Sequence, residues 1–506
     1  MRLLLGSVFL IAACSLLYEL LIGSVSTYLL GSSTVHYSLV IGLFLSSMGV
    51  GAWLAQGIGT RLLEAFVLIE VAVGIVGGAS ALLLQAVYAW TEYYYVAMVL
   101  VTGTIGALVG AEIPLLTRIL EGPSGLRRGI SQVLSVDYVG ALGASLLFPF
   151  VLLPYFGHLL TAALTGLVNL VVALVVALAF RVRLGRRLWP VLGLAAAGLL
   201  GTGALAARAG AFELAVENAL YQDPVVALRQ SEYQRLVVTR WGEDLRLYLD
   251  GSLQFSSLDE YRYHEILAHV PTAFAHRAER ALVIGGGDGL AVRELLRHET
   301  LREIVLVDLD PAVTALARQM PAIRALNGRA LDDPRVSVVN ADARAWLAEG
   351  GDLFDVVVVD LPDPSSEALA RLYTAGFYRR VARRTSVGGA VIVQSSSPWF
   401  AARAFRAIGA TLGEAFDHVA PAQAWVPSFG LWGFHVASMR ELDVERAAAR
   451  VLPGRYLDAP TFRDALRLPR DVPAFEDVEI NRDGSLRLLG YYRDGWAASE
   501  GGRRGP

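Results

Sequence analysis

Lysine is absent: all 44 basic residues are arginine. That excludes Schiff-base chemistry on a lysine amine. Cysteine occurs once, as Cys14 within an apolar run, so neither a disulfide within the chain nor a cysteine metal site can form. Excess positive charge is missing too. The arginines face 47 acids, for a net charge of −3, which leaves no electrostatic footprint for nucleic acid. Charge of either sign is scarce from Leu3 to about Ala207 and ordinary thereafter.

What is present is apolar surface. Of 506 residues 54% are hydrophobic, and the mean hydropathy is +0.48. The scarcity of charge divides the chain into a membrane domain, residues 1–207, and a soluble part, each large enough to bury a core. A bilayer span needs about 20 apolar residues. Seven segments qualify, near 3–23, 36–56, 65–88, 95–118, 131–154, 159–180 and 189–207. The first is too long, and too often repeated downstream, for a cleaved signal peptide.

If these spans alternate, Arg2, Arg61, Arg118, Arg127, Arg128, Arg181, Arg183, Arg186 and Arg187 fall on one side, and the loops near 24–35, 89–94 and 155–158 carry no arginine. Arginine marks the cytoplasmic face, which places the N-terminus inside. Seven spans would then export the soluble part. The expectation is nonetheless a cell-membrane, multi-pass protein with a cytoplasmic catalytic domain. Its weakest link is the seventh segment, rich in Gly and Ala, which is expected not to cross fully unless an earlier span is misread. Glu19, Glu70, Glu112 and Asp137 lie in or near spans. Such acids either line a cation or polyamine path or serve as helix–helix and interfacial contacts.

The soluble part divides into a linker with a small antiparallel β-sheet (208–256), an α/β domain (257–440) and a C-terminal extension (441–506). The sheet is read from alternation over 233–255, with turns at Gly242 and Asp250-Gly251. A helix near 258–276 follows. Strands 280–285, 302–307, 335–339, 354–360 and 388–394 then alternate with helices, the pattern of a doubly wound, Rossmann-like parallel sheet. Ligands bind such sheets at the carboxyl ends of the strands, and there an acid recurs. Gly285-Gly286-Gly287-Asp288-Gly289 follows the first strand, Asp308 and Asp310 the second, Asp342 the third, and Asp360 and Asp363 the fourth.

Asp308 lies 23 residues past Gly285, near the spacing at which an acid takes ribose hydroxyls. Asp310 before Pro311 reads as a helix N-cap. Leu290 replaces the third glycine of the dinucleotide fingerprint, which disfavours a pyrophosphate cofactor. A methyltransferase donor would bring a carboxylate against Asp288, at a cost of about 1–4 kcal/mol at about 4 Å. A donor that has lost that carboxylate and ends in an ammonium would be attracted instead. "HEILAH" is not a zinc helix, because His264 and His269 are five apart rather than four. His269 reads as a structural helix residue.

The ordered segments "YQ" (233–234), "LDGSLQFSSLDEYRYHEILAH" (249–269), "ALVIGGGDG" (281–289), "LVDLDP" (306–311), "NADA" (340–343), "VVDLPDP" (358–364), "LYTAGFY" (372–378) and "VIVQSSSPW" (391–399) resemble the spermidine synthases, or polyamine aminopropyltransferases, over about residues 230–440. The seven-span front resembles their membrane-anchored bacterial branch. The resemblance implies transfer of a propylamine group from decarboxylated S-adenosylmethionine, a co-substrate, to putrescine, giving spermidine and methylthioadenosine. It implies Gln234, Asp308, Asp342 and Ala343 around the nucleoside, Tyr263, His264, Asp288 and Asp363 around the amines, and Asp360 as the catalytic acid–base residue. Neither a metal nor a resident cofactor is implied. The partners implied are a diamine or polyamine and the lipid bilayer, with self-association left open. Two features depart from the family: "DPSSEALARLY" is short, and Phe429 stands where a tyrosine is common. Both touch the acceptor side. The alternatives are the same chemistry on another polyamine, or a membrane sensor or transport component whose synthase domain does not turn over.

Overall fold

The structure is a computed structural model that describes residues 2–502 apart from 31–32, 121–125, 476 and 486. The chain forms two compact units that meet in sequence at Val225 and Val226. The first is a helical bundle: α1 (Arg2–Leu30), α2 (Ser33–Ala55), α3 (Leu62–Trp90), α4 (Tyr94–Leu120), α5 (Leu126–Leu147), α6 (Leu153–Ala179), α7 (Leu188–Ala207) and the short α8 (Ala209–Leu220). Among the described residues six helical stretches are long and apolar enough to cross a membrane, one of them the 47 residues Val133–Ala179.

That stretch is two helices rather than one. At about 1.5 Å per residue it would measure roughly 70 Å, more than twice a hydrocarbon core of about 30 Å. Gly157 breaks it with φ 65° and ψ −173°. Across the break Thr161 Oγ1 donates to the Leu152 carbonyl at 3.1 Å, a contact between residues nine apart that requires the chain to fold back. The reversal falls in the expected 155–158 loop. On the far side, α6 runs antiparallel to α1: Cys14 lies against Thr165, while Ser24 bonds His158 at 2.8 Å.

The seventh segment is a full helix of the bundle. A Cβ on Gly198 would touch Leu170 and Ile75, and one on Gly78 would touch Thr202, so α7 runs along both α3 and α6. Arg2, Arg127 and Arg128, three of the orientation residues, lie where side chains are outside the described set.

The second unit opens with an antiparallel sheet, β1 (Val225–Gln230), β2 (Arg235–Trp241), β3 (Asp244–Leu249) and β4 (Ser252–Ser256), in that order. The turn between β3 and β4 uses Asp250 and Gly251, both with positive φ (47° and 79°), as a two-residue Asp-Gly hairpin requires. After α9 (Glu260–Phe274) come β5 (Arg280–Gly285), α10 (Leu290–Leu295), β6 (Glu303–Asp308), α11 (Pro311–Gln319), β7 (Val336–Asn340), α12 (Ala343–Ala348), β8 (Phe354–Asp360), β9 (Thr385–Gln394), β10 (His418–Val426) and β11 (Gly430–Ser438). The sheet order is β10-β11-β9-β8-β5-β6-β7, with the first two strands antiparallel. Apolar cores cover both faces. The segment after residue 440 is part of them: Leu457 and Phe462 join one core and Leu488 the other.

This order fixes where a ligand can enter. The chain moves from β5 to β6 and β7, then returns to lay β8 on the other side of β5. The crevice at that reversal, outside the carboxyl ends of β5 and β8, is the binding position of doubly wound sheets. Gly285 and Asp360, the last residues of the two strands, are paired there.

Candidate active site

Glycine is required where β5 ends. Gly285 has φ 80°, and a Cβ on it would strike the Asp360 carbonyl; a Cβ on Gly287 would reach within 2.6 Å of Asp308 Oδ2. Bare backbone lets the loop close onto both acids. The Gly287 amide donates to Asp308 Oδ2 at 3.0 Å, and the Asp310 amide donates to Asp308 Oδ1 at 2.8 Å. Burial pushes Asp308 up to about 6 against these bonds.

Asp310 caps α11 as read from the sequence, accepting from the Ala312 amide at 2.8 Å. Its other oxygen accepts from Gln234 Nε2 at 3.0 Å and Ser231 Oγ at 2.7 Å. The cap therefore ties the small sheet to the strand-end cluster and brings Gln234 beside Asp308. Asp342 is exposed and caps α12, accepting from the Arg344 and Ala345 amides at 2.7 and 3.0 Å. Ala343 is the first residue of that helix.

Asp360 and Asp363 are held from different directions. Tyr263, on α9, donates its hydroxyl to Asp360 Oδ1 at 2.7 Å. Burial pushes Asp360 up to about 6; His264 opposes the shift and the Asp288 charge adds to it. Burial also pushes Asp363 to about 6, against hydrogen bonds from Gln394 and Ser396 at 3.1 and 2.9 Å. Ser396 sits just past β9 with φ 63°, a left-handed conformation uncommon for a non-glycine residue. Asp288 accepts the Leu290 amide on Oδ1 at 2.8 Å, and burial raises its carboxyl above the usual range.

His264 is set by residues that the motif reading missed. Its Nδ1 lies 2.8 Å from Glu260 Oε2, and Arg293 grips both Glu260 oxygens at 2.9 Å. Burial works to raise Glu260, but the bonds from His264 and Arg293 outweigh it and hold the carboxyl below its ordinary value. An ionised Glu260 favours the Nδ1–H form of His264, which leaves Nε2 free to accept a proton or a hydrogen bond. His269, as expected, is buried in a structural network with His298 and Glu294.

Phe429 enters on the loop between β10 and β11. Asp259 fixes that loop by accepting from the Ser428 amide and hydroxyl at 2.6 and 2.9 Å. The Phe429 ring centre stands 6.1 Å from that of Tyr263 and 5.0 Å from that of Trp432.

A family model for the spermine/spermidine synthase domain matches residues 260–446, which hold α9, every strand end described above and the Phe429 loop. Polyamine aminopropyltransferase 2 of Ralstonia nicotianae is 43% identical over 502 residues, 98% of each chain. The chain belongs to the polyamine aminopropyltransferase family. Polyamine aminopropyltransferases of Leptospira interrogans (39% identical, covering 97% of this chain and 98% of that one) and Streptomyces coelicolor (42%, covering 98% and 94%) match both units as well. A crystal structure of a spermidine synthase with the transition state analogue AdoDATO overlays with a TM-score of 0.46 at 24% identity, covering 53% of this chain and 88% of that one. As a member of this family the chain is an enzyme of aminopropyl transfer, and its acids crowd the strand ends.

Proposed function

We propose that the enzyme transfers the propylamine group of decarboxylated S-adenosylmethionine to putrescine, giving spermidine and methylthioadenosine. The observation that carries this reading is the set Asp288, Asp360 and Asp363 around the β5–β8 crevice, each bonded by protein donors that leave carboxylate edge for a substrate. Asp288 takes the ammonium of the aminopropyl tail. Asp308 takes the ribose, Asp342 with Ala343 the adenine, and Gln234 borders the nucleoside. Tyr263, His264 and Asp363 orient the acceptor.

The acceptor amine must be neutral to react. Its nitrogen lone pair forms a bond to the carbon beside the sulfonium, the carbon–sulfur pair leaves with sulfur as a neutral thioether, and the proton lost from nitrogen passes to Asp360. A carboxyl pushed up to about 6 is a stronger base than an ordinary aspartate yet stays mostly ionised at neutral pH. Charge balance asks for no metal ion.

The test is methylthioadenosine release by the purified full chain, with the decarboxylated donor and a panel of diamines and polyamines. Putrescine should give the highest kcat/KM. Release with no amine, or methyl transfer from S-adenosylmethionine, would overturn the reading.

The bundle is proposed to anchor the enzyme in a bilayer. Two arguments about the side disagree: a donor made in the cytoplasm calls for an inward-facing catalytic unit, whereas the arginines and seven passes face residue 208 outward. Paired reporter fusions after Ala207, one active only inside and one only outside, decide between them. The catalytic unit is expected on the cytoplasmic side, and activity of the outside reporter alone would overturn that placement.

A further inference from the structure

Glu70 on α3 and Glu112 on α4 are buried in the bundle, 0% and 3% exposed. Their carboxyls lie within hydrogen-bonding reach of each other. Glu70 is eight residues from the start of α3 and Glu112 eight from the end of α4, each about 12 Å along its helix from the arginine-bearing end of the bundle. Asp137 on α5 is half-buried and within electrostatic range of Glu112, so the acids lead from the bundle's flank to its interior. Among the described residues no arginine or histidine pairs with Glu70 or Glu112.

The surrounding atoms are nearly all acceptors. Asn169 Nδ2 donates to Glu70 Oε2 at 3.0 Å, while its Oδ1 is buried without a partner. Flipping that amide would set oxygen against carboxylate, so the orphan oxygen is not a matter of assignment. Glu70 Oε1 and Glu112 Oε1 are also buried and unpartnered. Each such atom costs on the order of 1–3 kcal/mol if left bare. A proton shared by the two carboxyls would serve one or two of these oxygens, not three.

We propose that this cluster is a second amine site, which takes one terminal ammonium of a diamine or polyamine. An ammonium brings three donors and a positive charge to atoms that lack both. Acidic oxygens without donors fit a nitrogen cation, which supplies N–H groups as well as charge. The catalytic unit combines the same kinds of group, with Asp288, Asp360 and Asp363 beside Tyr263 and Gln394.

The test is equilibrium binding of radiolabelled putrescine and spermidine to the full chain in detergent. Wild type should bind two equivalents. Glu70→Gln and Glu112→Gln should each weaken one of them at least about tenfold while methylthioadenosine release stays unchanged, which also reports correct folding. Asp288→Asn with Asp360→Asn should remove the other. For a variant that folds poorly, thermal unfolding serves instead: spermidine should raise the Tm of the Asp288→Asn/Asp360→Asn chain and lose that effect when Glu112→Gln is added. A single equivalent, lost with the catalytic aspartates and indifferent to Glu70 and Glu112, overturns the proposal. So does a Tm that responds to pH but not to amine.

Discussion

The acids of the two units have opposite surroundings. In the α/β unit Asp288, Asp308, Asp360 and Asp363 each receive at least one hydrogen bond from an amide, a hydroxyl or a side-chain amide. In the bundle, among the described residues, Glu70 takes one amide donor, from Asn169, and Glu112 takes none. The difference teaches that counting acids does not distinguish a site from a structural contact. The donor inventory does: where protein donors already fix the carboxylate, the remaining edge can be aimed at a substrate, and where donors are missing, something else must supply them.

The comparison is broken most severely by removing a donor-fixed acid. Asp360→Asn should lower kcat by about 10²–10⁴-fold, because it deletes the proton acceptor, while methylthioadenosine still binds. Near-normal turnover would remove Asp360 from the mechanism. The same variant tests the burial cost. A carboxyl raised from 3.8 to about 6 holds its proton more tightly in the folded state than in the unfolded one. Its stabilising contribution is complete below about pH 4 and is lost as pH rises through 6, so ionised Asp360 destabilises the enzyme at neutral pH. Because the side chain keeps some contact with solvent, that cost is held to about 1–2 kcal/mol. Asp360→Asn should therefore raise Tm by a few degrees at pH 7.5 and by nothing at pH 4. A Tm that falls at both pH values would show that Asp360 is structural.

A second break is by pH. Wild-type kcat/KM should fall about tenfold per unit below pH 6, as Asp360 takes up a proton and the acceptor amine gains a competitor for it. Asp308 and Asp363 are raised to the same region, so the fall can be steeper than one proton. A profile flat from pH 7 to pH 5 would mean that none of the three must be ionised.

Asp288→Asn should be milder and selective. It should weaken the decarboxylated donor by roughly 1–3 kcal/mol more than methylthioadenosine, since only the donor carries the ammonium. Equal losses in calorimetric titrations would make Asp288 a loop residue.

Legibility in the sequence followed periodicity. The central parallel strands β5, β6 and β8 are largely buried on both faces, and an acid stands at or just after the carboxyl end of each, so both their positions and the strand-end cluster could be read directly. The reversal at Gly157 was marked by a gap between apolar runs. β1 escaped because it does not alternate: it shows no fully buried residue. Glu260 and Arg293 escaped for another reason. Their bond joins residues 33 apart and exists only because α9 packs on α10, which no local pattern records.

The smallest expected effect lies at the boundary between the donor and acceptor sides. Phe429 is held over Tyr263 by a loop that Asp259 pins through Ser428, and Trp432 backs its ring. Its apolar ring offers the acceptor no hydrogen bond. Phe429→Tyr would add one hydroxyl there without altering Asp288, Asp308 or the glycine loop. A hydroxyl within reach of the amine should lower KM for the diamine by about two- to fivefold, the scale of one modest hydrogen bond. KM for the donor should be unchanged. Steady-state kinetics with each substrate varied in turn check this, using putrescine and a longer diamine. A change confined to donor KM would place Phe429 on the nucleoside side and contradict the division of the site drawn from its neighbours. A KM shift for the longer diamine alone would place the ring at the far end of the acceptor, where chain length rather than the reacting amine is sensed.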